Sequence, residues 1–197
     1  MITLHVDNLE ELWCGVAVEE RKIVATTFAS REEHALESLL KELPYNAVFQ
    51  AVKERDMFAE EVLRAIKAVY DGEDASFSFK FAMDRIPRYS QLVLRLTSLI
   101  PTGYVTTYGA LAEAAGGSPR SVGRIMATNP FAPLVPCHRV VGADMTLWGY
   151  GGGVNLKWDL LQREDRGFTE AVEPTIDGRV LTLFPIRMVK PPKKGHD

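Results

Sequence analysis

Residues 106–130 read TTYGALAEAAGGSPRSVGRIMATNP, and this run decides how the C-terminal half folds. Thr106 or Thr107 can cap a helix over Tyr108–Ala115, and Gly116-Gly117 supplies a turn. Ser118 then offers an N-cap oxygen, and Pro119 fills the first helical position, where a missing N–H costs nothing. A second helix is expected through about Thr128, with Asn129-Pro130 ending it. Two short helices joined by a glycine-containing turn make a helix-turn-helix pattern.

Outward from that run, the second half stays mainly helical. Tyr89–Ile100 carries Leu92, Leu96 and Leu99 on one stripe and stops at Pro101-Thr102-Gly103, and a later helix is expected over 155–164. The first half reads differently. Trp13–Val18 and Lys22–Phe28 are apolar runs separated by Glu19, Glu20 and Arg21, a hairpin pattern. Ser30 with Glu33 suggests a capping box before Ala35, Leu36, Leu39 and Leu40. A short strand near 47–52 and a helix from Phe58 to Tyr70, stopped by Asp71-Gly72, follow. Phe77, Phe79 and Phe81 alternate with polar residues as in a strand or extended linker. The fold class expected is α+β. An N-terminal domain with a small antiparallel sheet and helices spans 1–84, a mainly helical domain with the helix-turn-helix spans 85–167, and an extension spans 168–197.

With 197 residues the chain can bury a real core, and 46% hydrophobic and 25% charged residues are ordinary for a globular protein. No window approaches the roughly 20 apolar residues of a membrane helix. The N-terminal MITLHVDNLEELW has acids where a signal peptide has a basic region, so an intracellular protein is expected. Net charge is −3, yet it is unevenly spread: residues 1–84 hold 9 basic and 17 acidic residues, and 85–197 hold 14 and 9. Between 85 and 143 the only acid is Glu113, against Arg85, Arg88, Arg95, Arg120, Arg124 and Arg139. That local field suits a phosphate backbone, and equally a solvated basic face. Cys14 and Cys137 are too few for a disulfide framework, and His5, Cys14 and His34 are too few and too irregular for structural zinc.

Pro136-Cys137-His138-Arg139-Val140 is the stretch that carries chemistry. A thiol becomes a nucleophile through a neighbouring base, a cation or a helix N-terminus. His138 adjoins Cys137, and Glu164 lies on the later helix; thiol, imidazole and orienting carboxylate are the parts of an activated cysteine. A small buried cysteine beside a surface histidine is the bland alternative.

The surroundings decide between these. Pro-Cys-His-Arg-Val at 136–140, Arg120-Ser121-Val122-Gly123, Asn129-Pro130, Gly149-Tyr150, Gly152-Gly153, Lys157, Leu160-Leu161 and Glu164 stand in an order and spacing that resemble the O6-alkylguanine-DNA alkyltransferase family. The resemblance covers roughly residues 88–167. It implies DNA repair by irreversible, single-use transfer of an alkyl group to Cys137, with His138 as base, Glu164 holding the imidazole, and Tyr108 donating a proton towards guanine N3. It implies that the carbonyls of Val140 and Cys137 accept from the guanine amine. Trp148, Tyr150, Gly151 and Gly152 belong to a loop closing the pocket, with the Gly151 N–H facing O6, and Asn129 braces the turn before the active site. Arg120 would fill the gap left by an extruded nucleotide. Ser118, Ser121 and Gly123 would admit the second helix to the minor groove, with Arg124 and Arg139 as further DNA contacts. The implied partner is double-stranded DNA bearing O6-alkylguanine, with no cofactor, no metal, no membrane and a monomeric protein.

The sequence departs from the family pattern at Arg124, often a small residue, at Trp148, where smaller residues are common, and at Gly151, which leaves only a backbone donor. Two other classes compete: a lesion-binding relative that flips damaged guanine without repairing it, and a thiol hydrolase. The first lacks an acceptor cysteine, which is present here. The second does not assemble its pair from adjacent residues.

Overall fold

The structure is a computed structural model, and it describes residues 1–192 apart from 55 and 75–77. Phe77 of the aromatic alternation and residues 193–197 of the extension therefore lie outside the described residues. Among those described, the chain forms two compact units. One comprises 1–70, 74–85 and 130–134; the other comprises 71–73, 86–129 and 135 onward.

The first unit is a sheet with two helices. Strands β1 (Ile2–Leu9), β2 (Leu12–Glu19) and β3 (Lys22–Ala29) form an antiparallel meander. Each hairpin turns on two residues with positive φ, Glu10 and Glu11 in the first, Glu20 and Arg21 in the second. That is the backbone a tight hairpin requires to match strand twist. The Asn8 side chain supports the first turn by accepting from the Glu11 N–H at 3.0 Å. Helix α1 (Glu32–Glu42) leads to β4 (Phe49–Ala51), which joins parallel to β1, giving the order β3-β2-β1-β4. Helix α2 (Met57–Tyr70) follows, its first turn capped by Asp56, whose Oδ1 accepts from the Ala59 N–H at 2.8 Å.

Ile2, Leu4, Ala17, Ala25 and Leu39 share one buried cluster, and Phe58, Val62, Ile66 and Val69 line the buried face of α2. Gly15 allows the close approach of α1, since a Cβ there would stand 2.9 Å from Thr27 Cγ2 and 3.0 Å from Leu39 Cδ1. The Ser30–Glu33 capping box does not form. β3 persists to Ala29 and Arg31 is still extended (φ −139°), so the N-cap falls at Arg31, which provides no side-chain cap. β1 has a clear strand pattern in hindsight, buried at Ile2 and Leu4, yet it escaped the sequence reading.

The second unit begins with α3 (Arg88–Ser98) and β5 (Tyr104–Thr107), then α4 (Tyr108–Ala115) and α5 (Pro119–Ala127). Thr107 caps α4 by accepting from the Ala110 N–H at 3.0 Å. Gly116 ends it in the left-handed conformation, φ +75°. Ser118 caps α5 in a reciprocal capping box with Ser121. Short β6 (Val140–Val141) lies parallel to β5; α6 (Val154–Glu164) follows. Beyond it, β7 (Thr175–Ile176) and β8 (Arg179–Val180) make a small hairpin, and β9 (Phe184–Pro185) pairs antiparallel with β5. The described part of 168–197 packs into this unit: Leu181, Leu183 and Ile186 are buried, and β9 completes the sheet β6-β5-β9.

Candidate active site

Cys137, His138 and Arg139 occupy a single 3₁₀ turn. The Cys137 N–H donates to Val135 O at 2.8 Å and the Arg139 N–H to Pro136 O at 2.9 Å, after which the chain enters β6. The Asn129 amide donates to the same Val135 carbonyl at 2.8 Å, tying the end of the helix-turn-helix to this turn. The turn is buried: Cys137 is 6% exposed and His138 is fully enclosed.

Burial pushes the Cys137 thiol up, against the opposing influence of Asn129, of the Lys157 ammonium and of backbone N–H groups. Lys157 is itself buried, and loss of water brings its ammonium down to about 8. Its Nζ donates to Val140 O at 2.7 Å and to Trp148 O at 3.2 Å, and it stands 5.8 Å from the centre of the Tyr108 ring. One cation therefore joins the strand after the cysteine to the loop at Trp148. Tyr108 opens α4; burial first and Cys137 second raise its phenol to about 12, so it stays protonated. Tyr150 is pushed up well above the ordinary range by burial, then by Cys137 and Glu164.

Glu164, the last residue of α6, gathers the rest. Its Oε1 lies 2.9 Å from His138 Nε2, and Arg139 closes a fork on it, Nε to Oε2 at 2.8 Å and Nη2 to Oε1 at 2.9 Å. Burial pushes this carboxyl up, but His138 and Arg139 outweigh it and hold it near 2. An ionised carboxylate accepts, so Nε2 carries the imidazole proton and Nδ1 is left as the basic nitrogen; it has no hydrogen-bond partner among the described residues. Burial also keeps the imidazole neutral, its pKa lowered despite Glu164.

Arg139 corrects the sequence reading. Expected as a DNA contact, it is 7% exposed, with Nη1 on Ile100 O at 2.6 Å and Nη2 also within 3.2 Å of Thr102 Oγ1. Four of its five N–H donors go to partners inside the unit. Val140 O, expected to receive a guanine amine, is already taken by Lys157, leaving one lone pair. The remaining expected contacts are on the surface of the same unit. Ser118, Arg120 and Arg124 are exposed on α5, Ser121 and Gly123 are half-buried, and a Cβ at Gly123 would meet nothing within 4 Å. Trp148, Gly151 and Gly152 are exposed. Trp148 packs its indole against Gly142, where a Cβ would stand 2.7 Å from its Cδ1. The sequence reading missed Lys157 as a working residue, naming it only as part of a motif; a lone lysine facing into an apolar helix stripe was the available signal. Among the described residues no cluster of three or more His, Cys, Asp or Glu could hold a metal ion, and no helix is long and apolar enough to cross a membrane.

Residues 88–166 match the family model described as "6-O-methylguanine DNA methyltransferase, DNA binding domain". The methylated-DNA–protein-cysteine methyltransferase of Methanothermobacter thermautotrophicus is 38% identical over 109 residues, 55% of this chain and 62% of that one, so less than two thirds of that relative is spanned. The protein of the same name from Methanosarcina acetivorans is 37% identical over 113 residues, 56% of this chain and 72% of its own length. Among solved structures, Mycobacterium tuberculosis OGT in complex with DNA superposes with a TM-score of 0.66 at 25% identity, covering 83% of this chain and 92% of that one.

Proposed function

The chain belongs to the methylated-DNA–protein-cysteine methyltransferase family, and on that premise we propose that it repairs duplex DNA by moving the alkyl group of O6-alkylguanine onto Cys137. The observation that carries this reading is the Glu164–His138 pair, which leaves Nδ1 basic in the turn that holds the buried thiol. His138 takes the thiol proton through a water as sulfur attacks the alkyl carbon, since Nδ1 has no direct hydrogen-bond partner among the described residues. The carbon–O6 bond breaks and its electron pair stays with guanine. Tyr108, kept protonated by its raised pKa, donates towards N3, so that guanine leaves neutral and the tyrosinate is reprotonated from solvent. Lys157 offsets negative charge in the pocket as it passes from sulfur to base. The product is a thioether, which does not reverse, so each molecule acts once.

α5 docks in the minor groove in this reading. Ser118, Ser121 and Gly123 form its close-approach face, Arg120 fills the gap of the extruded nucleotide, and Arg124 adds a phosphate contact. Trp148, Tyr150, Gly151 and Gly152 close over the base, and Asn129 holds the recognition helix to the active-site turn. The test is to incubate the protein with O6-methylguanine duplex and weigh it intact. One methyl per protein, located on Cys137, supports the reading; tight binding without mass gain, or repeated turnover of ester or peptide, overturns it. Arg120→Ala should slow repair of duplex more than reaction with free O6-benzylguanine, because only the duplex requires extrusion.

A further inference from the structure

The family match ends at residue 166, and the chain beyond it builds a hairpin against the helix-turn-helix. We propose that the hairpin over residues 172–183 is a positioning device for DNA docking, acting through Asp177 and Arg179; this rests on the DNA-repair reading above. The hairpin is rigid for local reasons. Ile176 pairs with Arg179 across a two-residue turn, Asp177-Gly178, in which both residues have positive φ, 51° and 73°. Its base is closed by two bonds between Val172 and Leu183, at 3.0 and 2.8 Å, and by the Leu181 N–H on Pro174 O at 3.1 Å. Leu181 and Leu183 anchor it in the core.

Two side chains reach from this turn to two different helices. Asp177 Oδ1 accepts from Arg95 Nη2 of α3 at 2.8 Å. Arg179 Nη1 donates to Ala114 O, in the last turn of α4, at 2.6 Å. A helix leaves its final carbonyls without intrahelical donors. Here Ala112 O receives the Gly117 N–H and Glu113 O the Gly116 N–H, and Arg179 supplies Ala114 O from outside the helix. A cation at that end also complements the helix dipole. α5 packs on both α3 and α4. Fixing these two helices from one rigid turn therefore fixes the Gly116–Ser118 turn and the direction in which α5 leaves it.

The experiment uses the full chain and the variants Arg179→Ala, Arg179→Lys and Asp177→Asn. It measures affinity for O6-methylguanine duplex across a salt series, and the rate with free O6-benzylguanine. Arg179→Ala should weaken duplex binding about tenfold, the worth of one charge-assisted bond. Arg179→Lys should recover part of that, and Asp177→Asn, at an exposed pair, should cost about two- to threefold. The salt slope and the free-base rate should not move. A slope reduced by about one would make Arg179 a phosphate contact and overturn the proposal. So would a free-base rate that falls in step with affinity, or an affinity that does not change. Failure of the unaltered protein to bind duplex overturns the repair reading itself, whereas normal binding with indifferent variants overturns only the hairpin's role.

Discussion

Arg139, Lys157 and Glu164, at 7%, 1% and 0% exposed, are the buried charged side chains among the described residues, and all three lie in the second unit. Among its described residues the first unit buries only His5 and Thr26 besides apolar groups. Its interior is held by hydrophobic burial, about 1.5–3 kcal/mol for each large side chain removed from water. The second unit takes on a cost the first avoids, because a buried ion loses several kcal/mol of hydration. It recovers that cost through partnering: Glu164 accepts from two residues, and Arg139 is spread over Glu164, Ile100 and Thr102. Stability alone does not require such an interior. It fixes which nitrogen of His138 is basic and how Cys137 is approached.

Several substitutions test this contrast, and the largest effect is expected where the chemistry sits. Cys137→Ala should abolish alkyl transfer while duplex affinity is kept, read by intact mass and by binding; transfer persisting on Cys14 would break the assignment. Glu164→Ala should come next, costing about 3–5 kcal/mol because it strands Arg139 in a dry site, measured by denaturant unfolding. The pH dependence has a definite sign. Folding lowers this carboxyl from 4.5 to about 2, so its contribution is full above pH 4.5 and is lost as pH falls towards 2. Glu164→Gln should flatten that part of the stability–pH curve.

In the first unit, Leu39→Ala should cost about 2–5 kcal/mol, and about the same amount at pH 5 and pH 8, since what it removes is an apolar side chain fully buried in a hydrophobic cluster. A pH-dependent loss there would blur the contrast. Arg139→Lys should cost about 1.5–3 kcal/mol, because an ammonium cannot reproduce the two-point fork. It should leave the salt dependence of DNA binding unchanged; a shallower slope would return Arg139 to the DNA surface. The smallest effect belongs to the exposed pair Glu60–Arg64 on α2: Glu60→Ala should change stability by no more than about 0.5 kcal/mol.

What the sequence determined by itself was local. Thr107, Ser118, Pro119 and Gly116 act on neighbours within four residues, and the helices they bound lie where those residues put them. The turn expected over Glu19–Arg21, found at Glu20-Arg21 with Glu19 still in β2, and the chemical motif around Cys137 were legible for the same reason. The signals failed when a second segment was needed. Ser30 looked like a cap until β3, paired with β2, kept the chain extended past it. β5 is four residues long, and β6 and β9, which pair with it, are two residues each; none is visible without its partners. Arg139 read as a free basic residue because Glu164, 25 positions away, is what makes its burial affordable. Tertiary structure decided these because ladder bonds and buried charge pairs gain free energy only when both partners arrive, and no local pattern records the second one.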